Sequence, residues 1–240
     1  LAPAEDWGSY IAENTWKELQ KLHTDEVEFV QFYPEAHLLK ALEVCKGTAA
    51  VKIGCQGVSR KDTGPDGGFG AFTTERTANS MKAIGCGYVI IGHCEERRDK
   101  TEILAEAGVE DTGAVDRLLN QEIRCAVKAG LEVLYCIGEK AQEQDRWQEV
   151  LQRQLETGLC GIDRSKVVIA YEPVWSIGPG KTPADKPYIT KISRFVKEFT
   201  GGMDIVYGGG LKTDNAEMLA SIEEIDGGLI ALTRFSGEIG

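Results

Sequence analysis

The sequence is poor in basic residues, in histidine and in long uncharged stretches. Its 240 residues include 27 Lys+Arg, 38 Asp+Glu and 3 His, which gives a formal net charge of −11 at pH 7. This charge argues against a nucleic-acid-binding protein, because a nucleic-acid-binding face must be basic to displace counterions. The longest uncharged run, residues 83–94, is shorter than the ~18 apolar residues that a membrane-spanning helix needs. We therefore expect neither a nucleic-acid partner nor a membrane association.

Local metal and disulfide motifs are also missing. The seven cysteines are scattered, none of them forms a C-x-x-C pair, and the three histidines show no i,i+4 spacing. Zinc motifs and disulfide frameworks are usually recognised by such spacing. The first residues carry neither the basic nor the apolar region of a signal peptide. We predict reduced cysteines, a cytoplasmic location, and neither a metal site nor a cofactor.

Short apolar runs alternate with helix-like segments along the chain. The predicted strands are residues 27–33, 50–55, 88–91, 132–137, 167–171, 204–207 and 228–232. The helix-like segments, with apolar residues three and four apart, are residues 7–22, 36–44, 74–84, 115–129, 147–159, 189–199 and 216–222. Continuous apolar strands alternating with helices indicate right-handed βαβ units and a parallel sheet. No linker-like stretch interrupts this pattern, so we predict an α/β protein with one domain over residues 1–240.

The number of strands favours a closed barrel but falls one short. A (β/α)8 barrel has eight strands, each followed by a helix, whereas the sequence supplies seven and begins with the helix-like segment 7–22. In a βα repeat that helix follows a strand. We predict a (β/α)8 barrel whose first strand lies before Leu1, with a seven-stranded variant as the alternative.

His93 is the first candidate catalytic residue. It follows the predicted strand 88–91 and precedes a segment that should begin a helix. In barrels of this type the catalytic residues lie at the C-terminal ends of the strands. The positive end of a helix disfavours a protonated ring, and a neutral imidazole there can donate a hydrogen bond to a substrate carbonyl. The alternative is a histidine that only caps the helix.

Glu172 is the second candidate. It follows the apolar strand 167–171 and is held at the strand end by Pro173. Desolvation at this position raises the pKa of a carboxyl group toward values suited to removing a proton from carbon. The following residues, IGPGKT at 177–182, are typical of a mobile lid with small hinge residues. The alternative is a structural ion pair between Glu172 and an arginine such as Arg97 or Arg98.

A glycine-rich segment is the third candidate. The triple glycine at 208–210 follows a predicted strand, and the last predicted strand comes soon after it. Glycines let backbone N–H groups approach an anion closely, and barrels often hold a phosphate between the loops after their last two strands. A simple tight turn remains the alternative.

Together these segments resemble the triosephosphate isomerase family. YEPVWSIGPGKT at 171–182 is similar to the lid signature of that family, and IGHCEERR at 91–98 is similar to the segment that carries its electrophile. Further similarities follow in the family's order: GAFT at 70–73, CIGE at 136–139, YGGG at 207–210 and IDG at 225–227. The resemblance extends from about residue 27 to residue 230.

The resemblance implies a set of roles. In this family a glutamate base, a neutral histidine and a closing loop act together on a TIM barrel. The base would be Glu172 and the electrophile His93. The supporting carboxylate would be Glu95, or Glu96 if the alignment gap falls otherwise, and Gly178 would contact the substrate phosphate. The resemblance also implies a homodimer, whose interface loop would correspond to residues 56–72.

Several positions depart from the family pattern. The family's Asn-x-Lys unit on the first strand has no counterpart in the sequence, and the histidine segment carries one extra glutamate. In the expected phosphate site, Gly210 stands where the family has serine, and Ala231 and Leu232 stand where it has a glycine pair. Arg234 would restore positive charge there.

These features predict an aldose–ketose isomerase that interconverts D-glyceraldehyde 3-phosphate and dihydroxyacetone phosphate through an enediol. The altered phosphate loops favour two alternatives. One is a paralogue that isomerises a different sugar phosphate. The other is a non-catalytic barrel that binds a ligand or a partner.

Overall fold

The computed structural model describes residues 3–64, 71–178 and 180–231. These residues belong to two compact units. The first contains the described residues up to Ile90 together with Cys125–Glu132, and the second contains Ile91–Arg124 and Val133–Ala231. That residues 1–240 form a single domain stays a prediction.

Helices and strands alternate along the described chain. The strands are β1 (Phe29–Tyr33), β2 (Val51–Cys55), β3 (Tyr88–Ile91), β4 (Glu132–Ile137), β5 (Val167–Tyr171), β6 (Ile205–Tyr207) and β7 (Gly227–Gly228). The helices are α1 (Trp7–Leu22), α2 (Glu35–Val44), α3 (Ala78–Ile84), α4 (Cys94–Glu106), α5 (Ala114–Lys128), α6 (Trp147–Gly158), α7 (Lys186–Thr200) and α8 (Ala216–Ala220). Among the described residues no strand precedes α1, so the eighth strand before Leu1 stays a prediction.

The first unit is built on parallel strands covered by helices. β1 pairs with β2 from Phe29↔Val51 to Tyr33↔Cys55, and β2 pairs with the start of β3. The helices α1 and α2 pack closely, because a Cβ on Gly8 would stand only 2.2 Å from the carbonyl oxygen of His37. A glycine at this position of α1 therefore sets how near the two helices lie.

The second unit is also a parallel arrangement. β4 pairs with β5, β5 with β6, and β6 with β7. From Val133 to Ile137 every residue of β4 is buried, as expected for a parallel strand covered on both faces. Asp185 caps α7 by accepting a hydrogen bond from the backbone N–H of Tyr188.

The observed boundaries differ most from the predicted ones at two places. The helix predicted over residues 74–84 begins at Ala78, because the Thr77 side chain accepts the Ser80 N–H as an N-cap. The strand predicted over 228–232 is Gly227–Gly228. Its partner β6 ends at Tyr207, whose carbonyl accepts the Leu229 N–H as the last bond of this pairing.

Two further findings concern the cysteines and the helices. All seven cysteines are free. None of the helices in the described part of the chain combines the length and the apolar character needed to cross a membrane.

Candidate active site

Glu172 and His93 lie side by side at the ends of strands. Glu172 follows β5 directly, and His93 follows β3 after Gly92. The Oε1 atom of Glu172 is 3.2 Å from Nε2 of His93. The structure thus brings together the carboxylate and the imidazole that the sequence singled out.

The His93 ring is oriented by the helix that it caps. Its Nδ1 accepts a long hydrogen bond of 3.4 Å from the backbone N–H of Glu95, in the first turn of α4. A ring nitrogen that accepts a hydrogen bond carries no proton, so the proton of the neutral ring lies on Nε2. Nε2–H then faces Oε1 of Glu172. His93 therefore caps the helix and also presents a donor beside the carboxylate.

Glu172 is a buried carboxylate with few hydrogen-bond donors. It is 3% exposed, and its Oε2 accepts the backbone N–H of Cys94 at 3.0 Å. Burial raises the pKa of Glu172 above its ordinary value of 4.5, while His93 and the Cys94 hydrogen bond oppose this shift. The raised pKa makes the ionised group a stronger base than a solvated glutamate.

The backbone beside Glu172 needs a glycine. A Cβ on Gly138 would stand 1.8 Å from the Glu172 carbonyl oxygen. The buried side chain of Gln154 holds Gly138 with two hydrogen bonds of 2.9 Å, one to its N–H and one to its carbonyl. The Glu172 N–H in turn donates to the carbonyl of Ile137 at 2.8 Å. This packing explains the glycine of the CIGE segment.

Cys94 places a thiol next to the same pair. Its Sγ lies 4.0 Å from Nδ1 of His93. Burial, together with the charges of Glu172 and Glu95, raises the pKa of the Cys94 thiol to about 12. One ligand atom each from His93, Cys94 and Glu172 lies within 4.8 Å of the other two. Among the described residues this is the one His/Cys/Asp/Glu group with such spacing.

Arg97 holds the backbone around the site. Its Nε donates to the Gly92 carbonyl at 2.9 Å and its Nη2 to the Cys136 carbonyl at 2.9 Å. Its Nη1 forms an ion pair of 2.7 Å with the buried Asp116. The alternative ion pair with Glu172 is thus not formed by Arg97. Arg98, the other arginine in that alternative, is exposed.

A second buried carboxylate, Glu139, anchors the start of the 172–182 segment. Glu139 is fully buried, and its Oε1 accepts hydrogen bonds from Nε1 of Trp175 at 2.7 Å and from the Tyr188 hydroxyl at 3.0 Å. The Tyr171 hydroxyl donates to both oxygens, at 3.1 and 3.2 Å. The rings of Trp175 and Tyr188 also meet edge to face, with centroids 5.5 Å apart. Indole, hydroxyls and ring packing together fix this end of the segment.

Comparison with known proteins identifies the family. The family model described as triosephosphate isomerase matches residues 8–237. The chain belongs to the triosephosphate isomerase family. The resemblance predicted from its motifs is therefore confirmed.

Individual members of the triosephosphate isomerase family match to different extents. The triosephosphate isomerase of Geobacter metallireducens is 39% identical to this chain. The aligned part covers 67% of this chain and 64% of the length of that relative. The triosephosphate isomerase of Fusobacterium nucleatum subsp. nucleatum is 34% identical over 96% of this chain and 92% of its own. A crystal structure of triosephosphate isomerase from Bartonella henselae superimposes with a TM-score of 0.73 at 26% identity, covering 96% of this chain and 87% of that one. These matches confirm the predicted (β/α)8 barrel fold class.

The two glutamates proposed as the supporting carboxylate have different surroundings. Glu95 is exposed, and its Oε2 lies 3.8 Å from Nδ1 of His93. Glu96 is more buried, accepts the Gly92 N–H at 2.6 Å and pairs with Lys100 at 2.9 Å. Glu95 is therefore the one near the ring, and Glu96 supports the backbone that precedes it.

The predicted phosphate-contacting residues are exposed where the structure describes them. Gly178 has φ +114° and Gly210 has φ +87°, a region that favours glycine. The Gly210 carbonyl accepts a hydrogen bond from Nδ2 of Asn215 at 3.1 Å. Ala231 is the last described residue and is also exposed. Leu232 and Arg234 lie outside the described residues, so the phosphate role of all five positions stays a prediction.

Sequence reasoning missed three contributors to the site. It did not predict the thiol of Cys94 beside the ring, the backbone contacts of Arg97, or the three donors on Glu139. The IGHCEERR and CIGE segments contain these residues, so motif similarity pointed to the region. The motifs carried no information on which residues contact each other, and some of the partners, such as Asp116 and Tyr188, lie outside the motifs.

Proposed function

We propose that this protein is an aldose–ketose isomerase that interconverts D-glyceraldehyde 3-phosphate and dihydroxyacetone phosphate. The observation that carries the proposal is the 3.2 Å contact between Oε1 of Glu172 and Nε2 of His93, in a chain of the triosephosphate isomerase family. Isomerisation at neighbouring carbons needs one group that moves a proton on carbon and one that serves the adjacent oxygen. Glu172 and His93 are suited to these two tasks.

Glu172 acts as the base in this proposal. Its Oε2 is held by the Cys94 N–H, while Oε1 faces the histidine. The ionised carboxylate removes a proton from the hydroxymethyl carbon beside the substrate carbonyl. The electrons of that C–H bond form the C=C bond of the enediol. Glu172 then returns the proton to the neighbouring carbon, so the reaction consumes no co-reactant.

His93 forms hydrogen bonds with the oxygen atoms of the substrate in this proposal. The Nε2–H of the neutral ring donates a hydrogen bond to the carbonyl oxygen on which negative charge develops. The oxygen gains a proton as the enediol forms, and the neighbouring hydroxyl loses one as the new carbonyl forms. No change in the oxidation state of the protein is required. The proposal therefore needs neither a metal nor an organic cofactor.

The segment 172–182 is the lid in this proposal. Its first part is anchored through Trp175 and Glu139, and Gly178 beyond that anchor supplies the backbone freedom for closure. We assign the substrate phosphate to the lid and to the loops that contain Gly210 and residues 231–234. The resulting exclusion of water protects the enediol.

We further propose a homodimer in the cytoplasm, as the family resemblance implies. The expected interface loop is residues 56–72, of which 65–70 lie outside the described residues. Within the described part, the Ser59 N–H donates to the Arg76 carbonyl at 2.7 Å, which ties the loop back to its base. Light scattering tests the dimer, which should have twice the monomer mass of 26.2 kDa.

One observation favours a second candidate. In place of the family's glycine pair the chain has Ala231 and Leu232, and a leucine side chain limits the approach of a phosphate to the backbone. A paralogue that isomerises another sugar phosphate is consistent with this change. Comparing kcat/KM for glyceraldehyde 3-phosphate with kcat/KM for larger aldose phosphates separates the two candidates.

The main experiment measures turnover of glyceraldehyde 3-phosphate by the protein and by Glu172→Asp. The aspartate keeps the charge but withdraws the carboxylate by one methylene, and a misplacement of about 1 Å costs about 10²-fold in rate. Glu149→Asp, at an exposed glutamate of α6, is the matched control. Absence of isomerisation by the unmodified protein, or equal kcat in Glu172→Asp, contradicts the proposal.

A further inference from the structure

We propose that His93, Cys94 and Glu172 form an inhibitory binding site for a thiophilic divalent cation such as Zn²⁺. A ring nitrogen, the cysteine sulfur and a carboxylate oxygen lie within 4.8 Å of one another. Two of these groups belong to the proposed catalytic pair. Cys94 is the additional one, and its thiol proton passes to solvent when the ion binds. The site thus goes beyond the proposed isomerisation, which uses no metal.

The donor set fits zinc better than the hard cations. Imidazole, thiolate and carboxylate are the common protein ligands of Zn²⁺, and three protein ligands with one open position is a usual arrangement. Mg²⁺ and Ca²⁺ instead prefer sites made only of oxygen atoms. Zinc bond lengths place tetrahedral ligand atoms about 3.3–3.6 Å apart. Separations of up to 4.8 Å here must therefore shorten by about 1.2–1.5 Å.

The ring of His93 has a carboxylate ready to support metal binding. Its Nδ1 accepts a long 3.4 Å hydrogen bond from the Glu95 backbone, and Oε2 of the Glu95 side chain lies 3.8 Å from the same nitrogen. When Nε2 binds the ion, the ring proton moves to Nδ1, which then donates to Glu95. A carboxylate that accepts the second ring N–H is the usual support of a zinc-bound histidine.

The exposure of these residues and their catalytic roles indicate how an ion reaches the site and how it affects activity. The His93 side chain is 37% exposed and Cys94 is half-buried, so an ion can reach the group from solvent. An ion bound by His93 and Glu172 engages both groups that the proposed reaction requires. Zinc therefore inhibits the enzyme in competition with substrate.

Cobalt titration tests the site directly and does not depend on activity. Co²⁺ is added to chelator-treated protein, and the thiolate-to-cobalt charge-transfer absorbance is followed to saturation. We expect one ion per chain in the unmodified protein and loss of the band in Cys94→Ser. Cys160→Ser, which removes an exposed thiol, is the matched control and keeps the band. A band that survives in Cys94→Ser, or that disappears in Cys160→Ser, overturns the proposal.

Zinc inhibition supplies a second measurement. We expect Zn²⁺ to raise the apparent KM without lowering the limiting rate, and Cys94→Ser to weaken inhibition at least about tenfold relative to that variant's own metal-free rate. If Cys94→Ser does not fold, the unmodified protein still decides: zinc inhibition that excess substrate does not relieve contradicts binding between His93 and Glu172. Cobalt binding without any isomerase activity would reject the proposed function and keep the metal site.

Discussion

Two buried carboxylates, Glu172 and Glu139, follow neighbouring parallel strands but have opposite hydrogen-bonding environments. Both are at most 3% exposed, and burial raises the pKa of each above 4.5. Glu139 accepts hydrogen bonds from one indole and two hydroxyls. Glu172 accepts one backbone N–H and faces a partly exposed imidazole. Burial alone therefore does not make a carboxylate a suitable base, because one of its oxygens must also be free of permanent hydrogen-bond donors.

The largest expected effect separates the two carboxylates by rate. Replacing the proposed base, Glu172, removes proton transfer at carbon, which positioned acid–base groups accelerate by about 10²–10⁴-fold. We expect Glu172→Gln to lower kcat for glyceraldehyde 3-phosphate by that factor. Glu139→Gln removes no reacting group and should lower kcat much less. Steady-state assays of both variants measure the difference.

The reverse order of rates would reject this distinction. Circular dichroism and thermal melting serve as the folding control for both glutamine variants. If Glu139→Gln were the slower enzyme while it remained folded, the carboxylate with three donors would be the one engaged in chemistry.

The second expected effect separates the carboxylates by stability. Glu139→Ala leaves the indole of Trp175 and the hydroxyls of Tyr171 and Tyr188 without their buried acceptor. A stranded buried donor costs about 1–3 kcal/mol, so we expect the free energy of unfolding to fall by about 3 kcal/mol. Glu139→Gln keeps one acceptor oxygen and should lose less. Urea unfolding followed by fluorescence measures both variants, and equal losses would argue against hydrogen bonding as the cause.

Sequence patterns located Glu172 and His93 because both follow apolar strands, and strand ends are visible from composition. They could not show the environments of the two carboxylates. The Tyr188 hydroxyl reaches Glu139 from 49 residues away, and the Cys94 N–H reaches Glu172 from 78 residues away. Such contacts depend on strand register and side-chain direction, which residue types alone do not fix.

The same limit applies to two local features. The three histidines lack metal-ligand spacing in the sequence, yet the fold brings His93 and Cys94 to Glu172, a residue far along the chain. The last strand was predicted too long because apolar residues continue to residue 232. Its observed length depends on its pairing with β6, which ends at Tyr207. Local composition predicts which helices and strands form, whereas contacts with residues elsewhere in the chain determine where they end.

A smaller effect tests the donors on Glu139 one at a time. Trp175→Phe keeps an aromatic ring but removes the 2.7 Å indole hydrogen bond. We expect a loss of about 1 kcal/mol in the free energy of unfolding at neutral pH. Because the lost donor stabilises the ionised form of Glu139, the loss should shrink as pH falls and Glu139 becomes protonated. Urea unfolding of Trp175→Phe at neutral and acidic pH measures this, and a loss independent of pH would indicate ring packing instead.

The smallest effect is the pH dependence of the two carboxylates. If Glu172 is the base, its raised pKa means that kcat falls with decreasing pH along a limb centred above 4.5, since only the ionised group can accept a proton. Glu139→Gln should leave this limb in place.

Ionisation of a buried carboxyl costs stability, so each carboxyl's contribution is present below pH 4.5 and is lost as pH rises through its folded-state pKa. Glu172→Gln should accordingly flatten the dependence of unfolding free energy on pH, because glutamine does not titrate. An unchanged stability profile in that variant would show that Glu172 ionises as easily in the folded protein as in the unfolded chain, and the contrast with Glu139 would then rest on geometry alone.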